Sequence, residues 1–436
     1  MGKSKNQIAA LDVYIGGKLV GTLIEKSTGA MTFKYAKSWL ETKGVFPISQ
    51  SLPLSAKELR GAEVRAYFNN LLPDNPTVRE KMAGRVGAES EGDFDLLSAI
   101  GRDCVGACQF VPAGTPIPKG GGAKGEKVSP KRIAEILKGL PVTPLGNHPD
   151  QEFRISIAGA QDKTGFLRMK SSWMIPRGDT PTTHIFKVPM GQLPNGIDLT
   201  TSVENEWLCL QLVKCFDLPA AEAEIKTFSG EKCLAVTRFD REWSKDGRRL
   251  SRIPQEDLCQ ALGISSAKKY ESDGGPGIEQ IMDFLLESDD PNEDRRLFMK
   301  TQVVFGLLGA TDGHAKNYSI FASKAGGFRL TPIYDVMSVY PAWKRGQIRR
   351  NQMKLAMALG DSRHYRLYEI KGRHWLQTAK RCGFSTKELE QILDEVCQAA
   401  KVVVQKGIKT PKGFPAWILQ AILKEMDQAV SRLEIR

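Results

Sequence analysis

Long apolar runs are missing from this 436-residue chain. No stretch reaches the ~18 consecutive apolar residues that a membrane-spanning helix needs. The N-terminal stretch MGKSKNQIAALDVYIGG also lacks the apolar centre of a secretion signal. The chain is longer than the ~250–300 residues at which single cores stop growing, so its length predicts two or three domains. We therefore expect a cytoplasmic, multidomain protein that makes no membrane contact.

Cysteine and histidine are too scattered to indicate a metal site. The eight cysteines include no C-x-x-C pair, and the five histidines show no zinc-ligand spacing. Most of the cysteines have apolar neighbours, which is typical of buried thiols in a reducing compartment. We expect neither a disulfide framework nor a zinc site.

Positive charge, in contrast, is abundant. The 62 Lys and Arg residues exceed the 50 Asp and Glu residues, so the formal net charge is +12. Such an excess favours contact with polyanions, among them ATP, nucleic acid and acidic proteins. The alternative is a basic soluble protein without such a partner, because net charge does not select a ligand.

The order of the local patterns predicts an α+β fold of two lobes. LDVYIGGKLVGTLIEK has a Gly-Gly turn between alternating runs and predicts a hairpin. SAKELRGAEVRAYFNNLL predicts a helix, with Ser55 and Glu58 at capping-box spacing. Nearly all of the chain after residue 254 has helical patterns. We predict an N-terminal subdomain (1–112), a Gly/Pro-rich linker (113–127), a β-rich lobe (128–240) and a helical lobe (241–436).

One short segment carries the residue types of a catalytic loop. GATDGHAKNYS, residues 309–319, holds Asp312 and Asn317 five positions apart. Protein kinases use this spacing for the catalytic-loop carboxylate and a metal-binding asparagine, and a second metal-binding aspartate follows later. RLTPIYDVMS supplies Asp335, which we place at a strand end. A solvated loop explains any one of these residues, but their order favours magnesium-dependent phosphoryl transfer from ATP, with Asp312 as the proton acceptor.

Two upstream segments add candidates for phosphate binding. THIFKVP places Lys187 in an apolar strand, where a bare lysine is costly unless it is paired. Glu204 or Glu206 on the next helix is a candidate partner, and snorkelling of the lysine is the alternative. SIAGAQDKTG, residues 156–165, matches neither G-x-G-x-x-G nor a P-loop. Its backbone N–H groups, with Gln161 and Lys163, are candidates for phosphate contacts, and a plain hairpin turn is the alternative.

Several longer motifs together resemble the HipA family of serine/threonine kinase toxins. They are FNNLLPD, LLSAIGRDCVGA, FRISIAGAQDKT, TTHIFKVP, RIPQEDLCQ, KYESDGGPGI, GATDGHAKN and LTPIYDV, and they cover essentially the whole chain. The resemblance implies a bilobal protein-kinase-like fold with an added N-terminal α+β subdomain. It also implies the toxin of a bacterial toxin–antitoxin pair, whose kinase activity on an aminoacyl-tRNA synthetase, such as glutamyl-tRNA synthetase, arrests growth and promotes persistence. The implied partner is a HipB-like helix-turn-helix antitoxin, and the complex binds operator DNA and represses its own operon.

The resemblance assigns roles to the positions that match. Asp312 would accept the proton, Asn317 and Asp335 would bind magnesium, and Lys187 would contact the ATP phosphates. The phosphate loop would comprise Ala158, Gly159, Ala160, Gln161, Asp162 and Lys163. The remaining nucleotide contacts would be His314, Ala315, Lys316, Asn317 and Tyr334, with Thr237, Arg238 and Phe239 reaching adenine through the backbone. Ser156 matches the autophosphorylated serine of the family. The family pattern has a glutamate where this chain has Thr237, and a backbone contact tolerates the difference.

Two other function classes use the same residues. A small-molecule kinase would share Asp312, Asn317 and Asp335 but would usually enclose its substrate in an acidic or aromatic pocket. YPAWKRGQIRRNQMK, which follows Asp335, is basic and contains no acid, which favours a large anionic partner over a small one. A co-repressor without activity is the second class, and the intact candidate residues argue against it. KGRHWLQTAKRCGFSTKELE is a further basic segment that could touch phosphates beside a DNA-binding partner.

Overall fold

The computed structural model describes residues 9–115, 122–140, 161–193 and 195–433. Within these ranges, none of the helices is both long enough and apolar enough to cross a membrane. The described residues form two compact units. Unit 1 comprises those within Met1–Val188, Lys226–Ala267 and Ser319–Phe328, and unit 2 comprises those within Pro189–Ile225, Lys268–Tyr318 and Arg329–Arg436. The division of the chain at residues 113–127 and 240 stays a prediction.

Strands and helices are both extensive, as an α+β fold requires. The strands are β1 Ala9–Ile15, β2 Lys18–Glu25, β3 Met31–Tyr35, β4 Gln109–Pro112, β5 Gly125–Lys127, β6 Lys163–Met169, β7 Ser172–Pro176, β8 His184–Lys187, β9 Gly191–Gln192, β10 Asp198–Leu199, β11 Ala223–Phe228, β12 Glu231–Thr237, β13 Arg241–Trp243, β14 Leu250–Arg252, β15 Gln255–Asp257, β16 Ser319–Ala322, β17 Phe328–Leu330, β18 Lys354–Leu359 and β19 His364–Arg366. The α-helices are α1 Lys37–Leu40, α2 Ala62–Asn70, α3 Pro76–Val86, α4 Asp93–Ile100, α5 Pro130–Gly139, α6 Ser202–Lys214, α7 Leu258–Ala261, α8 Ile278–Phe284, α9 Pro291–Leu308, α10 Tyr340–Lys344, α11 Gly372–Arg381, α12 Thr386–Lys406 and α13 Ala416–Leu433.

The N-terminal part of unit 1 is a four-stranded antiparallel sheet in the order β3-β2-β1-β4. Gly16 and Gly17 join β1 to β2, and both have positive φ, at 56° and 77°, so the predicted hairpin is confirmed. Alternate residues of these strands, such as Leu11 and Val13, are buried against Phe68 and other residues of α2 to α4. The apolar face of this sheet is thereby covered by helices.

A second sheet in unit 1 carries Lys187 and has the order β11-β12-β8-β6-β7-β5. Its core contains Phe166 of β6 and Phe186 of β8, whose ring centroids lie 4.8 Å apart. Helix α5 packs on this core through Ile133 and Leu137. These buried contacts fix the strands from which the lysines of the candidate site project.

A buried cluster of charges lies at the end of this sheet. Arg238 donates to both carboxylate oxygens of Asp240, at 3.0 and 2.8 Å, and Arg241 donates to Asp103 at 2.9 Å. Arg252 is also close to Asp103, at 3.7 Å. Burial opposes ionisation of Asp103, but the neighbouring arginines hold its pKa below its usual range. Burial similarly opposes the charge of Asp240, and Arg238 and Arg241 lower its pKa to about 2. The cluster therefore stays charged and ties α4's C-terminal side to the segment after β12.

Unit 2 is mainly helical, and α9, α12 and α13 bury long apolar faces. Helix α9 begins after Asp290, whose side chain accepts a hydrogen bond from the N–H of Glu293, with Pro291 in the first turn. The buried residues of α12 include Leu389, Ile392 and Val396, spaced three and four positions apart as an amphipathic helix requires.

Two local predictions are wrong. The helix predicted from Ser55 begins only at Ala62, because Gly61 has φ 114° and Ser55 instead accepts a hydrogen bond from the N–H of Lys57. The chain after residue 254 is not almost wholly helical, because it contains five strands, including the antiparallel pair β18 and β19. β-branched and aromatic residues are few in LAMAL, so propensity gave no strand signal there.

Candidate active site

The catalytic-loop segment starts where α9 is forced to end. Gly309 caps the helix with φ +61°, a conformation that favours glycine. A Cβ atom at this position would also lie 2.8 Å from the ring of Tyr340. The chain therefore leaves the helix at residue 309 and forms a separate turn before β16.

Asp312 and Asn317 are linked by the backbone of that turn. The side-chain amide of Asn317 donates to the carbonyl of Asp312 at 2.7 Å, and the N–H of His314 donates to the same carbonyl at 2.9 Å. A short 3-10 helix, Ala315–Asn317, closes the turn. Because its nitrogen is held by the loop, Asn317 has its amide oxygen left for another ligand. The five-residue spacing thus produces a closed loop with an ordered acceptor.

The Asp312 carboxylate is half-exposed and has two aromatic neighbours. The hydroxyl of Tyr270 donates to its Oδ1, and Nε2 of His314 lies 3.8 Å from the same atom. The Tyr270 and His314 rings meet edge to face, with centroids 4.8 Å apart. The carbonyl of Lys269 accepts from the N–H of Ala315 at 3.3 Å. Tyr270 and Lys269 were missed as site residues, although both belong to the KYESDGGPGI motif.

His314 is buried beside the Asp312 carboxylate, and this burial sets its pKa. Burial lowers its pKa, as does the charge of Lys269, whereas Asp312 and Asp335 both act to raise it. Its ring is therefore neutral near pH 7. Asp335, 23 positions after Asp312 in the sequence, is thus one of the charges that act on the His314 ring.

Asp335 follows an isolated β-bridge residue, Ile333, and not the end of a strand. Ile333 accepts from the N–H of Ala221 at 2.8 Å and donates to the carbonyl of Pro219 at 2.8 Å. Pro332 has no N–H to extend this pairing, so the predicted strand end is wrong. Asp335 itself has φ +58°, a backbone conformation that is strained for a non-glycine residue and is common at functional sites. Next to it, the Tyr334 hydroxyl donates to the carbonyl of the buried Lys316 at 3.1 Å.

Only the end of the predicted phosphate loop lies in the described ranges. Ser156, Ala158, Gly159 and Ala160 lie outside the described residues. The remaining part is attached to the end of β8. The Gln161 amide donates to the carbonyl of Val188 at 2.7 Å, and the N–H of Val188 donates to the carbonyl of Asp162 at 3.4 Å.

Lys163 and Lys187 are neighbours across two strands of unit 1. They are paired residues in the antiparallel register of β6 and β8, so their side chains project from the same sheet face. Each is only 7% exposed. Two buried lysines at paired positions of one sheet face suit a polyanionic ligand such as a triphosphate. The sequence identified both lysines but not their pairing.

The segment predicted to contact adenine follows β12. Thr237 pairs with His184 of β8, and the N–H of Arg238 donates to the carbonyl of Thr183 at 2.9 Å. The Arg238 side chain is committed to the buried charge cluster and its N–H to Thr183, so the predicted adenine contact would fall to the other backbone groups of residues 237–239. Phe239 meets Phe321 edge to face, with centroids 5.8 Å apart. Glu204 and Glu206, the candidate partners of Lys187, are both buried in α6, and that pairing stays a prediction.

Comparisons with known proteins identify the same family over most of the chain. A family model of the HipA N-terminal domain matches residues 11–111, and one of the HipA-like C-terminal domain matches residues 155–404. The chain is 30% identical over 408 residues to "Putative kinase Y4mE" of Sinorhizobium fredii, covering 91% of this chain and 92% of that one. It is 27% identical over 365 residues to the serine/threonine-protein kinase toxin HipA of Shewanella oneidensis, covering 80% and 78% of the two chains.

The structure is similar to a chain in the solved complex of Shewanella oneidensis HipA, HipB and operator DNA. The TM-score is 0.78 at 23% identity, with 97% of this chain and 96% of that chain covered. Similarity of this extent shows a shared fold. The predicted α+β, protein-kinase-like fold is therefore confirmed.

Proposed function

Because the chain belongs to the HipA family, we propose that it is an ATP- and magnesium-dependent serine/threonine protein kinase that acts as a toxin. The observation that carries the proposal is the loop of unit 2, in which Asn317 is tethered to the carbonyl of Asp312 and His314 lies beside the Asp312 carboxylate. Asp335 follows Tyr334, whose hydroxyl donates to the carbonyl of Lys316 in the same loop. The curated relatives named as kinases support it.

Within this proposal, unit 2 supplies the proton acceptor and the metal ligands. Asp312 is half-exposed, so a substrate hydroxyl can approach its carboxylate. Asn317 and Asp335 would hold magnesium. A carboxylate and an amide oxygen are hard donors that this ion takes when substrate phosphates complete its shell. The amide oxygen of Asn317 is oriented for this role by the bond from its nitrogen to the Asp312 carbonyl.

Unit 1 would bind the nucleotide. Lys163 and Lys187 would contact its phosphates, together with backbone groups of residues 158–163. The backbone of residues 237–239 would contact adenine. Residues 314–317 and Tyr334 are the other proposed nucleotide contacts, as the family motifs imply. These assignments rest on the residues that match the family motifs and on the paired, buried lysines.

The reaction would transfer the γ-phosphoryl group of ATP to a serine or threonine hydroxyl. The hydroxyl oxygen forms a bond to the γ-phosphorus as the bond to the β–γ bridging oxygen breaks, and the hydroxyl proton passes to Asp312. ADP leaves with the bridging oxygen. Magnesium, when bound, would neutralise phosphate charge. Neutral His314 would leave the carboxylate of Asp312 uncompensated and able to take the proton.

Replacement of Asp312 tests the central assignment. Asp312→Asn should lower the phosphorylation rate by at least about 100-fold, because the proton acceptor is lost. ATP affinity should change little, since it rests on unit 1 and the metal ligands. Asp361→Asn, at an exposed position of the same unit, is the matched control. Near-normal turnover of Asp312→Asn would remove it from the mechanism.

The proposed substrate is an aminoacyl-tRNA synthetase, such as glutamyl-tRNA synthetase. Its phosphorylation in the cytoplasm would arrest translation and promote persistence. The similarity to a curated toxin kinase supports this class of activity. Radiolabelled ATP with a panel of purified host synthetases, each with and without tRNA, would identify the target. Labelling of small hydroxyl compounds instead of any synthetase would favour the alternative of a small-molecule kinase.

The proposed partner is a HipB-like helix-turn-helix antitoxin, with which the chain would bind operator DNA and repress its operon. The structural neighbour was solved with HipB and operator DNA, which supports the proposal. The basic surface of this chain would contribute phosphate contacts, while the antitoxin would read the sequence. Salt titrations should show weak binding by the chain alone and tight binding by the complex. Tight, sequence-specific binding by the isolated chain would contradict this division of roles.

We further propose that Ser156 is autophosphorylated and that the modification inactivates the kinase. A phosphoserine adds about −1.5 to −2 charges next to the loop that would contact ATP phosphates, so it should repel nucleotide. Incubation with magnesium ATP, followed by mass spectrometry and ATP-binding measurements, tests both steps. Asp312→Asn alone should stay unlabelled, and catalytic amounts of active protein should restore labelling. Undiminished ATP binding by the Ser156-phosphorylated form would refute self-inactivation.

A further inference from the structure

Unit 2 contains a cavity of about 690 Å³ that is widely open to solvent, and none of the residues of the catalytic loop lines it. Its walls come from three parts of the chain. Asp198 and Thr200 lie at the end of β10 and before α6, Lys344 and Arg345 lie at the end of α10, and Trp417 and Lys424 lie on α13. None of these residues has a role in the proposed kinase reaction, so the cavity raises a separate question of ligand.

The positions of two cavity residues are fixed by ion pairs. Arg345 lies 3.1 Å from Asp198, and its guanidinium carbon lies 5.3 Å from the centre of the Trp417 ring. Lys344 lies 2.6 Å from the buried Glu425 and 4.3 Å from the centre of the Trp343 ring. The cavity therefore presents an indole with a guanidinium over its ring, and the guanidinium is held by Asp198.

The net charge of the cavity is positive. Its lining holds Lys344, Arg345 and Lys424 against one acidic residue, Asp198. Lys344 is paired with Glu425 and Arg345 with Asp198, so Lys424 carries the excess charge. Lys424 is exposed, and within the described parts of the chain it forms no ion pair. Because Arg345 compensates Asp198, Lys424 is the cation most available to an incoming anion.

Size and lining together indicate the ligand. The volume is within the range of ~300–1,000 Å³ that small-molecule sites occupy and is far larger than a single phosphate needs. Aromatic and arginine faces stack on nucleobases, while lysines meet phosphates. Thr200 and Gln420 can both donate and accept hydrogen bonds, as base edges require. An acidic peptide would use the cations but not the indole.

We propose that this cavity binds a nucleotide, with the base against Trp417 and Arg345 and the phosphate at Lys424. The nucleotide is either a free molecule or an unpaired unit of an RNA strand. The site is independent of the ATP site in the proposed function, so its test is arranged to leave that site filled.

The test uses the full chain with saturating non-hydrolysable ATP analogue and magnesium. Binding of fluorescein-labelled hexauridylate is followed by fluorescence anisotropy at constant salt. Trp417→Leu should weaken binding about tenfold, which is the loss expected for one base–aromatic stack. Lys424→Glu should weaken it several-fold. Lys401→Glu makes the same charge change at an exposed position of α12 outside the cavity, and its affinity should stay within about twofold of the parent chain.

Competition separates the two sources of the nucleotide. Displacement of the probe by uridine monophosphate would show that a free nucleotide is sufficient. Displacement by unlabelled hexauridylate alone would assign the site to a strand. The proposal is overturned if the chain does not bind the probe, if Lys424→Glu and Trp417→Leu bind it as the parent does, or if hexaglutamate displaces it as well as hexauridylate. Lys424 is exposed, so its replacement keeps the test valid even if Trp417→Leu fails to fold.

Discussion

Tyr270→Phe is the sharpest single perturbation of the proposed proton acceptor. The change removes the hydroxyl that donates to Oδ1 of Asp312 and keeps the ring. The ring's edge-to-face contact with His314, at 4.8 Å between centroids, should therefore survive. Asp312 would lose one of the groups that orient its carboxylate, while the backbone turn that holds Asn317 would be unchanged.

The size of the effect follows from the exposure of Asp312. A hydrogen bond to a charged group contributes about 1.5–3 kcal/mol when it is shielded from water. The Asp312 side chain is 55% exposed, so water will replace part of the lost bond. We expect a cost of about 1 kcal/mol in the transition state, which corresponds to a fall of about fivefold in kcat. KM for ATP should not change, because Tyr270 is not among the residues that we propose to contact the nucleotide.

The assay is steady-state phosphorylation of the substrate identified with the parent chain, with kcat and KM measured separately. Tyr365→Phe is the matched control, since its hydroxyl contacts Arg363 in the same unit and not the catalytic loop. An unchanged kcat, or a change confined to KM for ATP, would refute the orienting role of Tyr270. An increase in kcat would show instead that the hydroxyl occupies the place of the substrate oxygen.

Three further outcomes are expected. Asp335→Asn should raise the magnesium concentration for half-maximal nucleotide binding by more than about tenfold, and it should lower the phosphorylation rate. Unchanged metal dependence would contradict the assignment of Asp335 as a metal ligand. An NMR titration of His314 should give a pKa below about 6.5, the value of an unperturbed histidine. The unfolded chain therefore binds this proton more tightly than the folded chain. The stability that the neutral ring contributes is complete above about pH 6.5 and is lost as the pH falls from about 6.5 through the folded-state pKa. Gly313→Ala should lower the free energy of unfolding by about 1–3 kcal/mol, because the added Cβ would lie 2.6 Å from the Phe305 ring. Gly84→Ala, on the open face of α3, should not destabilise the chain. Equal melting temperatures for the two variants would refute the steric argument.

Local signals predicted the elements that depend on local physics. The Gly16-Gly17 turn was predictable because its two positive φ values require glycine or its nearest substitutes. The spacing of Asp312 and Asn317 was predictive because five residues suffice to close one turn on a carbonyl. The motifs themselves identified the family and hence the fold.

Contacts between distant segments were not predictable from one sequence. Tyr270 meets Asp312 across 42 positions, and no local pattern specifies that pairing. The adjacency of Lys163 and Lys187 depends on the register of β6 and β8, which the hydrophobic pattern fixes only once the partner strand is known. In the case of α2, a local signal was present but misleading. Ser55 and Glu58 have capping-box spacing, yet Gly61 prevents a continuous helix and α2 begins only at Ala62.

The buried charge cluster limits how the chain can be divided. A shortened chain that begins at residue 113 would keep Arg238, Arg241 and Arg252 but lose Asp103. It would also lose the carbonyls of residues 104 and 106, which accept hydrogen bonds from two of these arginines. Uncompensated buried charges cost several kcal/mol, so the residues before 113 stabilise the rest of unit 1. A kinase-like fragment that begins at residue 113 would keep Asp240 as a carboxylate partner of Arg238 and Arg241, and it should be less stable than the whole of unit 1.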